Sequence, residues 1–333
     1  MAQYQSKKSK QMKTKCLFCY EPIEGKDLIS PAGTVGYHPK CSQKFFGTNT
    51  PPILELSQDQ ILEYATNVIK AQRTVTGVQP KLSLEINKDE NNTRRFTIVG
   101  LWGDYILKPQ TAFYQNLPEN EDLVMKLAQI TKIKTVEHAL IRLKSGELAY
   151  ITKRIDRHRD GKIHMEDMCQ LTERLTEQKY KGSYEQIAKT VNRFAANSGL
   201  DVLNFYELLL FSFLTGNNDM HLKNFSLIKN NKEYALCPAY DLVSSTLVNE
   251  EDKEEMALTL NGKKNKITRQ DFEVAMAKSG IEQKAIENLF KRFEKIIPKW
   301  KGVVQKSFLP ETMQEQFLSL IEKRKEIIFG SVR

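Results

Sequence analysis

Tryptophan is scarce in this chain, two among 333 residues, and cysteine stops at five. An odd number of thiols argues against the disulfide framework of a small secreted domain. Met1 to Lys15 are rich in lysine and glutamine and carry neither the apolar core of a secretory leader nor the arginines of a transit peptide, so a reducing, cytoplasmic setting is the expectation. Long apolar runs are also missing. The most apolar stretch, Leu208 to Leu214, is seven residues, against the ~20 needed to cross a bilayer, which excludes a membrane role of that kind. Sixteen glycines and eleven prolines are too few for a collagen-like or low-complexity chain. With 40% apolar and 27% charged residues and no internal repeat, the chain reads as a globular protein of about two domains.

Positive charge is what the sequence has in surplus. Fifty Lys and Arg stand against 41 Asp and Glu, a net charge of +9, and eight lysines against Glu21, Glu24 and Asp27 concentrate much of it in the first fifty residues. Such a balance permits contact with phosphates or nucleic acid without requiring it.

Composition divides the chain into a basic tail (1–15), a Cys/His segment (16–50) closed by Pro51-Pro52, an N-lobe (51–157) and a helical C-lobe (158–333). In the N-lobe, Ser57 is placed to cap a helix with apolar positions 61, 62, 65, 68 and 69. Strand, glycine turn and strand follow over 74–86, with alternation at Leu82, Leu84 and Ile86, then a turn at 89–92 and strands at 96–99 and 104–109. A helix opens at Pro118, and strands at 136–143 and 147–154 complete an α+β layer. The C-lobe pattern predicts helices near 183–198, 201–215, 269–279, 282–296 and 310–328. Asn261-Gly262 predicts a hairpin joining 256–260 to 264–268.

The sharpest chemical signal lies between Thr215 and Ile228. Asp219 and Asn224 stand in the D-x-x-x-x-N spacing of a phosphoryl-transfer loop, in which an Asp accepts the proton of an attacking hydroxyl and an Asn holds Mg²⁺. Asp241, seventeen residues on, offers a second carboxylate for that ion. A plain polar turn is the competing reading of Asn217-Asn218-Asp219. Upstream, Lys108 ends an apolar strand where its charge would meet nucleotide phosphates. Glu121 on the next helix either pairs with Lys108 or complements the helix dipole, and the dipole reading is slightly favoured. The turn containing Gly77, Val78, Gln79 and Lys81 sits where a phosphate-covering loop belongs. Lys153, Arg154 and Ile155 end the last strand where a hinge offers backbone groups to an adenine. These parts, in this order, describe a two-lobed phosphotransferase using ATP and Mg²⁺.

Seven collinear motifs resemble the HipA family of serine/threonine kinase toxins: T-V-T-G-V-Q-P-K-L-S-L (74–84), I-L-K-P (106–109), N-E-D-L-V-M-K-L-A (120–128), K-R-I-D-R (153–157), H-M-E-D-M-C-Q-L (164–171), N-D-M-H-L-K-N-F-S-L (218–227) and P-A-Y-D-L (238–242). The resemblance implies a protein-kinase-like fold with Asp219 as base and Asn224 and Asp241 as Mg²⁺ ligands. It places His221 and Lys223 beside the γ-phosphate, Lys108 on the nucleotide and Lys153 to Ile155 at the hinge. Glu-Arg-Phe-Asp is usual in the family where this chain has Lys153-Arg154-Ile155-Asp156, so the resemblance carries over backbone contacts to adenine and leaves side-chain contacts open. The match starts near residue 50 and lacks the family's extra N-terminal domain, as in the short HipT-like kinases. The resemblance further implies an aminoacyl-tRNA synthetase as protein substrate and a HipB-like DNA-binding antitoxin or a small HipS-like protein as partner, with nucleic acid met only indirectly. Thr74 and Thr76 match the family's self-phosphorylation positions, where added charge would eject the loop from the phosphate site; as bare sequence they are equally β-formers.

A second constellation, Cys16-x2-Cys19-x18-His38-x2-Cys41, supplies three thiolates and an imidazole, a donor set for a structural Zn²⁺ in a segment too short to bury its own core. Four small residues packed under the N-lobe, or a thiol pair without metal, are the alternatives. Cys169 and Cys237 read as core, His138 and His164 as packing or surface residues, and His158 as part of a charged turn. Two other functions fit parts of the pattern: a phosphotransferase acting on a lipid or small-molecule acceptor, and a binding adaptor with an inactive kinase body. Intact Asp219, Asn224, Asp241 and Lys108 count against the adaptor.

Overall fold

The computed structural model describes residues 14–24, 36–64, 80–100, 102–158, 161–249 and 251–330. Its N-lobe is built on a five-stranded antiparallel sheet of β1 (Leu82–Lys88), β2 (Arg94–Val99), β3 (Tyr105–Lys108), β4 (His138–Arg142) and β5 (Leu148–Lys153), in the order β2-β1-β3-β5-β4. Alternation sets the register. Leu82 and Leu84 of β1 and Leu107 of β3 turn into the core, and Leu82 pairs with Leu107. Asp89 makes the first hairpin turn, its Oδ1 accepting from the backbone N–H groups of Asn91 and Thr93 at 2.9 Å. Gly103 is needed where the chain returns, since a Cβ there would lie 2.5 Å from the Leu84 carbonyl oxygen.

The Cys/His segment joins this sheet. Helix α1 (Pro39–Phe46) follows His38, and Leu17, Ile23, Tyr37, Phe45 and Phe46 share one core with Leu84, Phe96 and Tyr105. The expected cap at Ser57 forms as a reciprocal box. Its Oγ accepts from the Gln60 N–H at 3.3 Å and its own N–H donates to Gln60 Oε1 at 3.0 Å. The helix it opens runs from 58 to the last described residue there, 64.

Helix α2 (Leu117–Ile130) crosses the sheet and is buried along most of its length, because the sheet, the C-lobe and the Cys/His segment cover different faces of it. After the two-residue strands β6 (Arg157–His158) and β7 (Gly161–Lys162), β8 (Met165–Asp167) leads into the one-turn α3 (Met168–Leu171). Helices α4 (Tyr184–Phe194) and α5 (Ser198–Leu214) follow. A small sheet then orders β9 (Ser226–Asn230) between β8 and β10 (Glu233–Leu236). The chain continues through the short α6 (Ser245–Val248) to α7 (Arg269–Lys278), α8 (Gln283–Lys306) and α9 (Glu311–Phe329). No helix among the described residues is long and apolar enough to cross a membrane.

Three sequence expectations need correction. The helix expected over 183–198 stops at Phe194, where the Ala196 N–H turns to the Tyr234 carbonyl at 2.9 Å. The helix expected to end at 296 continues through Pro298 to Lys306. Its apolar face runs on through Ile297, Trp300 and Val304, and that burial outweighs the ~3 kcal/mol an interior proline costs. At Asn261-Gly262 the expected two-residue turn forms, with both φ angles positive (49° and 79°) and Leu260 paired to Lys263, but the flanking strands do not. The backbone of Thr259 bonds instead to Gly182 and Tyr184 at the start of α4.

Candidate active site

Lys108 is the last residue of β3, and its side chain is almost wholly buried between the lobes. Its Nζ lies 2.7 Å from Glu121 Oε1 on α2 and 2.6 Å from Asp241 Oδ1 in the C-lobe. The ion pair therefore forms, and the dipole reading of Glu121 is overturned. The packing of α2 across the sheet aims Glu121 inward at β3. Burial alone would lower the Lys108 pKa, but Asp241 and Glu121 outweigh it and hold the ammonium above the ordinary lysine range. Burial pushes Glu121 up to about 7 despite Lys108, and its Oε2 has no hydrogen-bond partner among the described residues. Asp241 differs: Lys108, with Lys81 and His221, holds it below the usual aspartate range, and 47% of its side chain stays exposed. Its backbone is left-handed (φ 59°), a conformation costing on the order of 1 kcal/mol for a residue with a Cβ.

The loop that follows α5 is fixed by its own polar groups. The Asp219 N–H meets Asn217 Oδ1 at 3.3 Å, the Asp219 carbonyl accepts from His221 N–H (2.8 Å) and Asn224 Nδ2 (3.0 Å), and Tyr184 donates to the Met220 carbonyl at 3.1 Å. Asn224 thus spends its amide hydrogens on the loop and keeps Oδ1 as the atom a cation could use. Tyr240 donates to the Lys223 carbonyl at 3.0 Å, which sets residues 240–241 beside 223–224. Burial lowers the His221 pKa against the pull of Asp219, and its Nδ1 is buried with no partner among the described residues.

The structure thus brings Asp219, His221, Asn224, Asp241, Lys108 and Lys81 to one cleft. Lys223 is paired to Asp167 Oδ2 at 2.6 Å. At the hinge, Lys153 Nζ pairs with Glu137, and Arg154 is forked onto Asp156 at 3.0 Å. The backbone N–H groups of Lys153 and Arg154 are already given to the carbonyls of Glu137 (2.9 Å) and Asp104 (2.8 Å). Thr74, Thr76, Gly77, Val78 and Gln79 lie outside the described residues. Two contacts had no signal in the sequence. Tyr180, 39 residues before Asp219, donates to its Oδ1 at 2.7 Å and meets the His221 ring edge-on at 5.1 Å. Asp122, beside Glu121, is buried with Tyr20 Oη at 2.6 Å and His138 Nδ1 at 2.7 Å.

Comparison with known proteins gives this cleft a family. Residues 73–300 match the model of the HipA-like C-terminal domain. Y4dM of Sinorhizobium fredii, named as a candidate kinase, is 31% identical over 79% of this chain, and the chain spans 64% of its length. A candidate kinase of Haemophilus influenzae is 27% identical over 94% of the chain and 97% of its own length. The serine/threonine-protein kinase toxin HipA of Shewanella oneidensis is 27% identical over 58% of the chain and 47% of its own length. Its structure in complex with HipB and operator DNA superposes with a TM-score of 0.64 over 77% of this chain and 65% of that one, at 22% identity, so that the two-lobed α+β fold is shared. With the matched domain covering most of its length, the chain belongs to the HipA family.

Proposed function

We propose that the chain is a Mg²⁺- and ATP-dependent serine/threonine protein kinase acting as the cytoplasmic toxin of a HipA-type toxin–antitoxin system. The observation that carries this reading is Lys108 held at 2.7 Å and 2.6 Å between Glu121 and Asp241, with the Asp219 loop beside it. That arrangement positions one cation for phosphate oxygens and leaves a carboxylate for a metal. Asp241 and the Asn224 Oδ1 are hard oxygen donors, a set that fits Mg²⁺. Mg²⁺-bound ATP would supply the phosphoryl group and the charge neutralisation.

The chain's own residues do the rest. Asp219, an exposed carboxylate at the cleft, accepts the acceptor hydroxyl's proton as the new O–P bond forms and the bond to ADP breaks. His221, whose pKa burial lowers against the pull of Asp219, keeps a ring nitrogen available to hydrogen-bond at the same cleft. Lys81 adds positive charge beside Asp241, and Ile155 offers its N–H to the adenine. Self-inactivation at Thr74 or Thr76 belongs to the same reading. A HipB-like antitoxin is supported by the HipB–operator complex of the Shewanella relative, and a small HipS-like partner follows from the resemblance to short members.

Phosphoproteomics after brief expression of the wild type and of Asp219→Ala tests the reading. The wild type should place phosphate on Thr74 or Thr76 and on a cellular protein, an aminoacyl-tRNA synthetase by family resemblance, and should arrest growth. Asp219→Ala removes an exposed loop side chain, so it should fold and do neither. Phosphoryl transfer surviving in that variant would refute the assignment of the base.

A further inference from the structure

We propose that Cys16, Cys19, His38 and Cys41 hold one Zn²⁺, and that this metal clasp keeps α2 seated so that Glu121 meets Lys108. The four donor atoms lie within 4.8 Å of one another, and none of the thiols is in a disulfide. His38 Nδ1 stands 3.4 Å from Cys19 Sγ and 3.9 Å from Cys41 Sγ. The other ring nitrogen decides the tautomer. Nε2 sits 3.1 Å from the Pro22 carbonyl, which can only accept, so Nε2 carries the hydrogen and the Nδ1 lone pair faces the sulfurs. The His38 backbone N–H points at Cys16 Sγ at 3.5 Å, which turns that sulfur toward the same point. Three sulfurs and one imidazole, with no carboxylate among them, are the donor set of closed structural zinc sites and select Zn²⁺ over harder ions.

The clasp has mechanical contacts on both lobes. Between Cys16 and Tyr20 the chain makes a tight turn, with the Tyr20 N–H on the Cys16 carbonyl at 2.9 Å and φ of 68° at Tyr20. That turn delivers the Tyr20 hydroxyl to Asp122 at 2.6 Å and the Phe18 carbonyl to Lys126, both on α2. The Leu17 carbonyl accepts from Leu140 of β4 at 3.2 Å. On the C-lobe side, Lys15 donates to the Ser307 carbonyl at 2.7 Å, and the Tyr20 ring meets Phe308 edge-on at 5.4 Å. Without a metal, the two ligand pairs are joined among the described residues by the Leu17 N–H on the Gly36 carbonyl at 2.7 Å, by the His38–Pro22 contact and by weak thiol contacts. With it they become one rigid unit, and the Tyr20–Asp122 bond is made one residue from Glu121.

The activity arm of the test rests on the kinase reading; the metal and exchange arms do not. Purified full-length protein should carry one zinc per chain by elemental analysis. Replacement with CoCl₂ should give the visible bands of tetrahedral sulfur-rich coordination. Chelation should raise amide exchange along 117–130 and lower phosphoryl transfer, and ZnCl₂ should restore both. Tyr20→Phe should keep the metal yet show the same rise in exchange, which separates the coupling from simple misfolding. A chain without stoichiometric metal, or one whose α2 exchange is unchanged by chelation and by Tyr20→Phe, would overturn the proposal. A wild type with intact metal and metal-dependent exchange but no ATP transfer would sink the kinase reading alone.

Discussion

The two carboxylates Glu121 and Asp122 are chain neighbours on α2, and both side chains are wholly buried, yet they face different worlds. Toward the cleft, Glu121 has Lys108 and one oxygen without a partner, and burial drives its pKa up to about 7. Toward the Cys/His segment, Asp122 accepts from Tyr20 and His138 with Lys126 nearby at 4.0 Å. Those groups overcome burial and hold it below the ordinary aspartate range. Equal burial gives opposite outcomes because the number of donors reaching each group differs. The side facing the cleft is left underserved; the side facing the Cys/His segment is saturated.

The largest effect should come from breaking the saturated side. Asp122→Ala strands Tyr20 and His138 in the interior and should cost about 3–5 kcal/mol by denaturant unfolding. A loss within error would mean that those groups find other partners.

Glu121→Gln sharpens the other side through pH. An acid whose folded pKa lies above its unfolded value keeps its proton longer in the native state, so stability declines as pH rises from its ordinary 4.5 toward 7. The penalty complete above that window is roughly 3 kcal/mol. Asp122 works in reverse, with stability present above the usual aspartate range and lost in acid. Unfolding midpoints measured from pH 4.5 to 7 should fall in the wild type and flatten in Glu121→Gln. A slope that persists in the variant would assign the titration to another group. The smallest effect is expected from Lys306→Ala, which breaks the pair with Glu21 at 2.6 Å. Both side chains are more than half exposed, so the change should stay below ~1 kcal/mol by the same unfolding measurement.

What could be read from the sequence was what is local or strictly ordered. Asp219 and Asn224 lie within one loop, the thiols and His38 follow a short spacing, and the strand alternation at Leu82 and Leu84 placed β1 correctly. The Ser57 box formed for the same reason. Glu121 was visible as a candidate, but its pairing depends on which face of α2 meets β3, a matter of packing. Tyr20 and Asp122 are 102 residues apart and Tyr180 and Asp219 are 39 apart, with no spacing rule to join them. The 256–268 segment misled because its β-type residues found backbone partners at the start of α4 instead of one another. Pro298 misled because a propensity is a local term, while the burial of Trp300 and Val304 is not.

The two lobes are joined through the chain at Ile155, through the Lys15–Tyr20 contacts with Ser307 and Phe308, and along α2 and the segment after it, where Asn120 bonds the Ser244 carbonyl at 3.0 Å, Trp300 bonds Thr131 at 3.1 Å and Val136 bonds the Ala239 carbonyl at 3.0 Å. Bodies fastened along a seam of buried bonds have no free axis, and moving one against the other has to break some of those bonds. The 2.6 Å approach of Lys108 to Asp241 is therefore held by the body of the molecule on both sides rather than by a loop.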